Sequence, residues 1–419
     1  MAQAAYDADS KLLRLDFKPE RAARVAKGAA EDDRQATAVA PKAAAMVPHR
    51  VASLDALRGF NIFWILGGDG VAWELSEMSS GKDGFLPAAG RFIGMQFVHV
   101  EWEGFRFYDF IFPLLVFVTG VSIVLSLARL KEREGHSRAH LRVLRRALLL
   151  YALGVIYYGG LSHNWPDIRL LGVLQRIALC YLAASMLFLN LNLRGLIVAC
   201  VALLVGYWAL LTFVPVPGVG PATYAADVNL TNWIDEHYLP GRLWYTKWDP
   251  EGLLSTLPAI ASSLIGVFCG MLLMSERVAP QQKSLWLIGG GAAMVAAGHL
   301  WGLQFPVIKS IWTSSFVLVA GGYSMLLLGA LYQVMDVWGA SRWASAFVWI
   351  GANAITLYFL NNVASYQQFA TRLVGGDIAS FFDRHMAKGA GNLVACAVGL
   401  TLAITLARFL YRRKIFLRV

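Results

Sequence analysis

The chain has 419 residues, of which 57% are hydrophobic and only 15% charged, with a formal net charge of +10 and a mean hydropathy of +0.52. A soluble protein carries about a quarter charged residues, so the composition excludes an ordinary water-soluble enzyme. Lys and Arg gather in particular loops and form no continuous basic face, which argues for membrane orientation and against nucleic-acid binding.

Residues 1–48 are Ala-rich, mixed in charge and lack the apolar stretch of a leader, so they read as a disordered cytoplasmic tail. Residues 49–419 then form one membrane domain. Apolar runs near the length of a bilayer core predict ten helices, at about 53–75, 107–129, 142–162, 169–190, 193–214, 251–275, 284–303, 313–336, 344–364 and 389–411. The expected fold class is all-α, a polytopic membrane helix bundle with both termini cytoplasmic. Orientation rests on the tail-side loops, above all the cluster Arg129, Lys131, Arg133, Arg138, Arg142, Arg145 and Arg146. Positive charge marks the cytoplasmic side, so linkers 76–106, 215–250 and 365–388 should face outward.

Charge inside a span is costly and marks either a pair or a site. In the first helix Asp55, Arg58 and Asp69 fall within about 60° of one face. Asp55 and Arg58 are either an anchoring pair or part of a site. Asp69 is too deep for that pair and needs another partner. In Phe107-Tyr-Asp-Phe-Ile-Phe-Pro113, Asp109 is either a helix cap or a polar spot beside a carbonyl that Pro113 leaves without a donor. His99 lies ten residues earlier, among Glu101, Trp102 and Glu103, and is either structural or a base or nucleophile. Arg169 and Arg176 share a helix face, and Arg176 is too deep to be a snorkelling residue; it either pairs with Asp69 or meets an anion. Asp249-Pro-Glu-Gly252 has the form of a helix start. Lys309, Trp312 and three hydroxyls follow at the start of a later span. Asn353, among small residues, serves either packing or a site. The four cysteines read as small hydrophobes, and no metal site is expected.

Together these stretches are similar to the membrane acetyltransferases related to heparan-α-glucosaminide N-acetyltransferase, over about residues 50–365. The motifs that carry the resemblance are Ser53-Leu-Asp-Ala-Leu-Arg-Gly59, His99-Val-Glu-Trp-Glu-Gly104 with Tyr108-Asp-Phe-Ile-Phe-Pro113, Arg169-Leu-Leu-Gly-Val-Leu-Gln-Arg176, Asp249-Pro-Glu-Gly252, Lys309 with Trp312-Thr-Ser-Ser315, and Gly351-Ala-Asn353. One departure is Ile308, where the family pattern leads us to expect Asn. The resemblance implies catalysis by His99, with Asp109 in the same site. It also implies acetyl-CoA as co-substrate and a glycan or amino-sugar acceptor across the membrane.

The resulting expectation is a multi-pass transferase of the cell inner membrane, with a transmembrane acyltransferase domain over 49–419. It moves acetyl from cytosolic acetyl-CoA to an amino sugar or glycan on the outer face. His99 either takes the acetyl group or deprotonates the acceptor, and Asp109 orients it. Arg58, Arg176, Asn353, Lys309 and Trp312 are the candidate contacts to the co-substrate and the developing charge. The expected partners are the acceptor and the lipid bilayer, with room for a homo-oligomer and none for nucleic acid. The rival readings are a secondary transporter or permease, and an O-acyltransferase of envelope polysaccharide.

Overall fold

The computed structural model describes residues 51–79 and 85–417; the expected tail lies outside the described residues, as do Lys82 and Arg418. The helices in chain order are α1 Ala52–Phe63, α2 Asp69–Ser79, α3 Phe85–Met95, α4 Phe107–Glu134, α5 His136–Tyr157, α6 Val173–Asn190, α7 Leu193–Phe213, α8 Leu230–Tyr238, α9 Thr256–Met274, α10 Pro280–Gly302, α11 Ser314–Tyr332, α12 Ser345–Ala352, α13 Ala354–Ala364, α14 Tyr366–Val374, α15 Asp377–His385 and α16 Ala390–Arg412. No extended strand occurs among the described residues; the only β pairing there is isolated bridges. The protein is a multi-pass helical membrane protein. Among the described residues seven helices (α4, α6, α7, α9, α10, α11 and α16) are long and apolar enough to cross a bilayer, and α12 with α13 makes an eighth if that bent pair is one span.

Burial separates centre from periphery. Within their apolar windows α4 and α9 are each 67% buried, whereas α10 is 17% and α7 and α16 are 28%. The outer helices turn Val198, Val201, Phe213, Leu285 and Leu300 outward, a surface that suits lipid and would be an aggregation face in water.

Three departures from the expected spans position the site. The first span is broken: Trp64–Gly68 winds as a π segment with Gly67 at φ 127°, a backbone that side chains rarely adopt. The break re-aims Asp69 at the start of α2. The span expected at 344–364 bends by 67° at Asn353. Just before that bend α12 touches α1: a Cβ on Gly351 would lie 1.9 Å from the Asp55 carbonyl oxygen, and one on Gly59 would lie 1.7 Å from that of Phe347. Only glycine permits backbones so close. Finally, α9 begins at Thr256, so Asp249 and Glu251 lie in the preceding loop and do not cap it.

Candidate functional site

His99, Asp109 and Lys309 come together at the end of the bundle where α4 begins. Asp109 is in the first turn of α4 and 1% exposed, and its two oxygens do different work. Oδ2 accepts the backbone N–H of Arg106 at 3.1 Å and that of Val100 at 3.3 Å, closing the helix start. Oδ1 meets His99 Nδ1 at 2.7 Å and Lys309 Nζ at 3.3 Å. The carboxylate is thus both cap and site. Lys309 Nζ lies 2.8 Å from His99 Nδ1 and 3.1 Å from Nε2. A nitrogen that donates to Asp109 cannot also accept from Lys309, so we assign the proton to Nδ1 and the lone pair to Nε2. The His99 side chain is half exposed.

Lys309 is held by its loop. Gly104 N donates to Val307 O at 2.8 Å, and Glu103 bridges to Ile308. Thr313 Oγ1 accepts from Ile308 N at 3.0 Å and donates to Pro306 O at 2.8 Å. Ile308 is 1% exposed, in an apolar cluster with Tyr207 and Phe305, so this chain fills that place by packing where a polar residue was expected. Burial pushes the Lys309 ammonium down from its ordinary range, against the pull of Asp109.

Arg58 and Asn353 lie elsewhere, in an internal cavity of about 290 Å³ that Ser122, Ser126, Arg146 and Tyr181 also line. Arg58 donates to Asp55 at 3.2 Å and also to Ser122 Oγ. Asn353 is 3% exposed, and neither end of its amide has a hydrogen-bond partner. A buried amide with nothing to bond is costly unless a ligand completes it. Along α4, cavity residue Leu115 is six residues from Asp109, or about 9 Å, and Ser126 is 17 residues away, or about 26 Å. The cavity therefore lies along α4 toward its basic end, and none of His99, Asp109 or Lys309 lines it. Arg58, Arg146 and the orphan amide of Asn353 are the polar groups that could hold an anionic or amide-bearing ligand there.

Two curated relatives resemble this chain. Heparan-alpha-glucosaminide N-acetyltransferase of Homo sapiens is 28% identical over 280 residues, covering 53% of this chain and 42% of the relative. That of Mus musculus is 27% identical over 282 residues, with the same shares. The chain is a distant relative of these acetyltransferases. Its match spans less than half the length of either. A search of family models found none that matches.

In this acetyltransferase relative, the remaining marked residues form a second, buried group. Arg169 grips Asp249 through two hydrogen bonds of 2.9 and 2.7 Å and reaches Glu251 at 2.6 Å. Burial alone would lower Arg169, and these carboxylates more than reverse it. Burial raises both Asp235 and Glu251 to about 7. Arg176 is fully buried; it donates to Gly252 O and Ser255 Oγ and lies 5.0 Å from the Trp312 ring. It does not meet Asp69, whose Oδ2 accepts instead from Tyr108 at 2.6 Å. Trp312 adopts φ 53°, a strained value for so large a residue, and its indole donates to Ser262 Oγ at 3.1 Å. Of the five residues assigned to the co-substrate, Lys309 thus stands at His99, Trp312 and Arg176 stack behind it, and Arg58 and Asn353 line the cavity. The sequence reading passed over Ser122 and Ser126, named Tyr108 only within a motif, and read Arg146 as one of the cytoplasmic basic cluster. The polar stripe Thr119, Ser122 and Ser126, at helical spacing on an otherwise apolar span, was the available signal.

Proposed function

We propose that this protein is a membrane acetyltransferase that moves the acetyl group of acetyl-CoA to an amino sugar or amine-bearing glycan. The observation that carries this reading is the His99–Asp109–Lys309 cluster, beside which Arg58, Arg146 and Asn353 give a separate cavity a polar lining that suits a coenzyme A arm. Asp109 holds Nδ1–H, which leaves the Nε2 lone pair either to attack the acetyl carbon or to take a proton from the acceptor. The Lys309 ammonium stabilises the oxyanion that forms as the thioester opens. We place the basic end of α4 in the cytoplasm, with both termini, on the side where acetyl-CoA is made. Arg129–Arg146, Arg194 and the C-terminal basic run then meet its phosphates. The acceptor meets His99 on the outer face of the cell inner membrane. The test is transfer of label from acetyl-CoA to a panel of amino sugars by purified protein. We expect an amide product that survives mild base, and none with His99→Ala. Full activity in that variant would remove His99 from the chemistry; an ester product would change the acceptor class.

A further inference from the structure

A shallow, mostly apolar groove of about 360 Å³ lies directly beside His99. Asp69, Trp73, Phe97, His99 and Tyr108 line it. Its volume lies within the roughly 300–1,000 Å³ range of small-ligand sites. Asp69 contributes a carboxylate whose Oδ2 is fixed by the Tyr108 hydroxyl at 2.6 Å, while Oδ1, among the described residues, accepts only the neighbouring Gly70 N–H, at 2.8 Å. The Tyr108 ring in turn lies 4.8 Å from the His99 ring, so the second carboxylate is one side chain removed from the reactive imidazole. Trp73, one turn beyond Asp69 on α2, is 39% exposed and offers an aromatic face to the same space. The broken helix at Gly67 aims both residues here, and such breaks recur at functional sites.

We propose that this groove is the acceptor subsite, and that Asp69 is the base that receives the acceptor's proton while Trp73 stacks on its sugar ring. The inference rests on the acetyltransferase reading and divides the labour between two carboxylates: Asp109 serves His99, and Asp69 serves the amine. The acceptor enters as a neutral amine and donates one N–H to Asp69, which turns its lone pair toward the acetyl carbon. As the new C–N bond forms, the bond to the leaving group breaks. That group is the coenzyme A sulfur in direct transfer, or the His99 nitrogen if the acetyl group has first moved there with release of the thiolate. The electron pair of the broken bond stays on the departing atom. The nitrogen, now cationic, loses its proton to Asp69, and the open groove returns it to water. An acceptor whose nitrogen is weakly basic sheds that proton unaided, so it needs Asp69 less.

The experiment compares glucosamine with hydroxylamine as acceptors, using Asp69→Asn and Trp73→Ala. Asn is isosteric and keeps an acceptor for Tyr108. We expect Asp69→Asn to lower kcat for glucosamine by about 10²-fold or more but for hydroxylamine by less than tenfold, with coenzyme A binding unchanged. Trp73→Ala should raise KM for glucosamine at least fivefold and leave hydroxylamine alone. Equal losses of kcat for both amines in Asp69→Asn, or none for either, would overturn the role of Asp69 as base. An unchanged glucosamine KM in Trp73→Ala would overturn the subsite. If the wild type transfers no acetyl group at all, the proposed function falls. The subsite is then judged by equilibrium binding of labelled glucosamine, which must be present in the wild type and weakened by both substitutions.

Discussion

Replacing Asp109 by Asn tests the assignment of the two ring nitrogens. The surroundings fix how the new amide must sit. Two backbone N–H groups, of Arg106 and Val100, point at the position of Oδ2, so the amide oxygen turns there and its NH2 faces His99. A donor now stands 2.7 Å from Nδ1, where the wild type has an acceptor. Nδ1 must give up its proton, Nε2 takes it, and the lone pair leaves the nitrogen that reacts. The NH2 also faces the Lys309 ammonium, 3.3 Å from this position, as donor against donor. A wrong tautomer in a comparable imidazole–carboxylate pair costs about 10⁴-fold in kcat. Some turnover should survive on the correct tautomer, so we expect a loss on the order of 10³-fold, smaller than that of His99→Ala. KM for acetyl-CoA should stay within about threefold, because Asp109 is remote from most of the cavity. The assay is release of coenzyme A with an amine acceptor, with thermal unfolding as the control for folding. Activity within tenfold of wild type, in a folded variant, would refute the assigned tautomer and reduce Asp109 to a helix cap.

Three further outcomes follow from the same geometry. Asn353→Ala should raise KM for acetyl-CoA by tenfold or more while changing stability little, since neither end of the amide has a protein partner to lose; a strong loss of stability with an unchanged KM would make Asn353 a packing residue. Asp235 is buried with its carboxyl raised from 3.8 to about 7, so the folded state binds the extra proton and stability should fall as pH rises from about 4 to 7. Asp235→Asn should remove part of that slope, gaining on the wild type by up to about 4 kcal/mol between pH 4 and pH 8; unfolding measured at both pH values, with no change in the gap, would contradict it. Cysteines introduced at Ala226 and Ser380, both exposed, should react with an impermeant thiol reagent on whole cells and one at His136 should not, whereas the reverse pattern would invert the topology.

Seven of the ten expected spans, and an eighth if the bent pair is one span, were legible because a bilayer demands about 20 apolar residues at a stretch, and that signal is local. The breaks were not. Gly67 sits in Ile-Leu-Gly-Gly-Asp, where nothing in composition announces a positive φ. The bend at Asn353 follows the contact of Gly351 with Asp55, nearly 300 residues away in sequence. Asp249-Pro250-Glu251 has every mark of a helix start, yet its acids turn to Arg169, 80 residues earlier, and the helix waits until Thr256. In the site, His99 and Asp109 were readable as a pair because one short loop joins them. Lys309 is 210 residues from His99, and only the family resemblance suggested that they meet. The partner of Asp69 was missed because tyrosine beside an apolar run looks like an interface residue, and its hydroxyl gives no sign of direction.

In the proposed orientation the acetyl group crosses the membrane while coenzyme A does not. Sealed vesicles of one orientation, holding labelled acetyl-CoA on one side and an amino-sugar acceptor on the other, measure this directly. The account predicts product only when acetyl-CoA is on the side of Arg129–Arg146 and the acceptor is on the side of His99. Equal product with both substrates on the His99 side would contradict it.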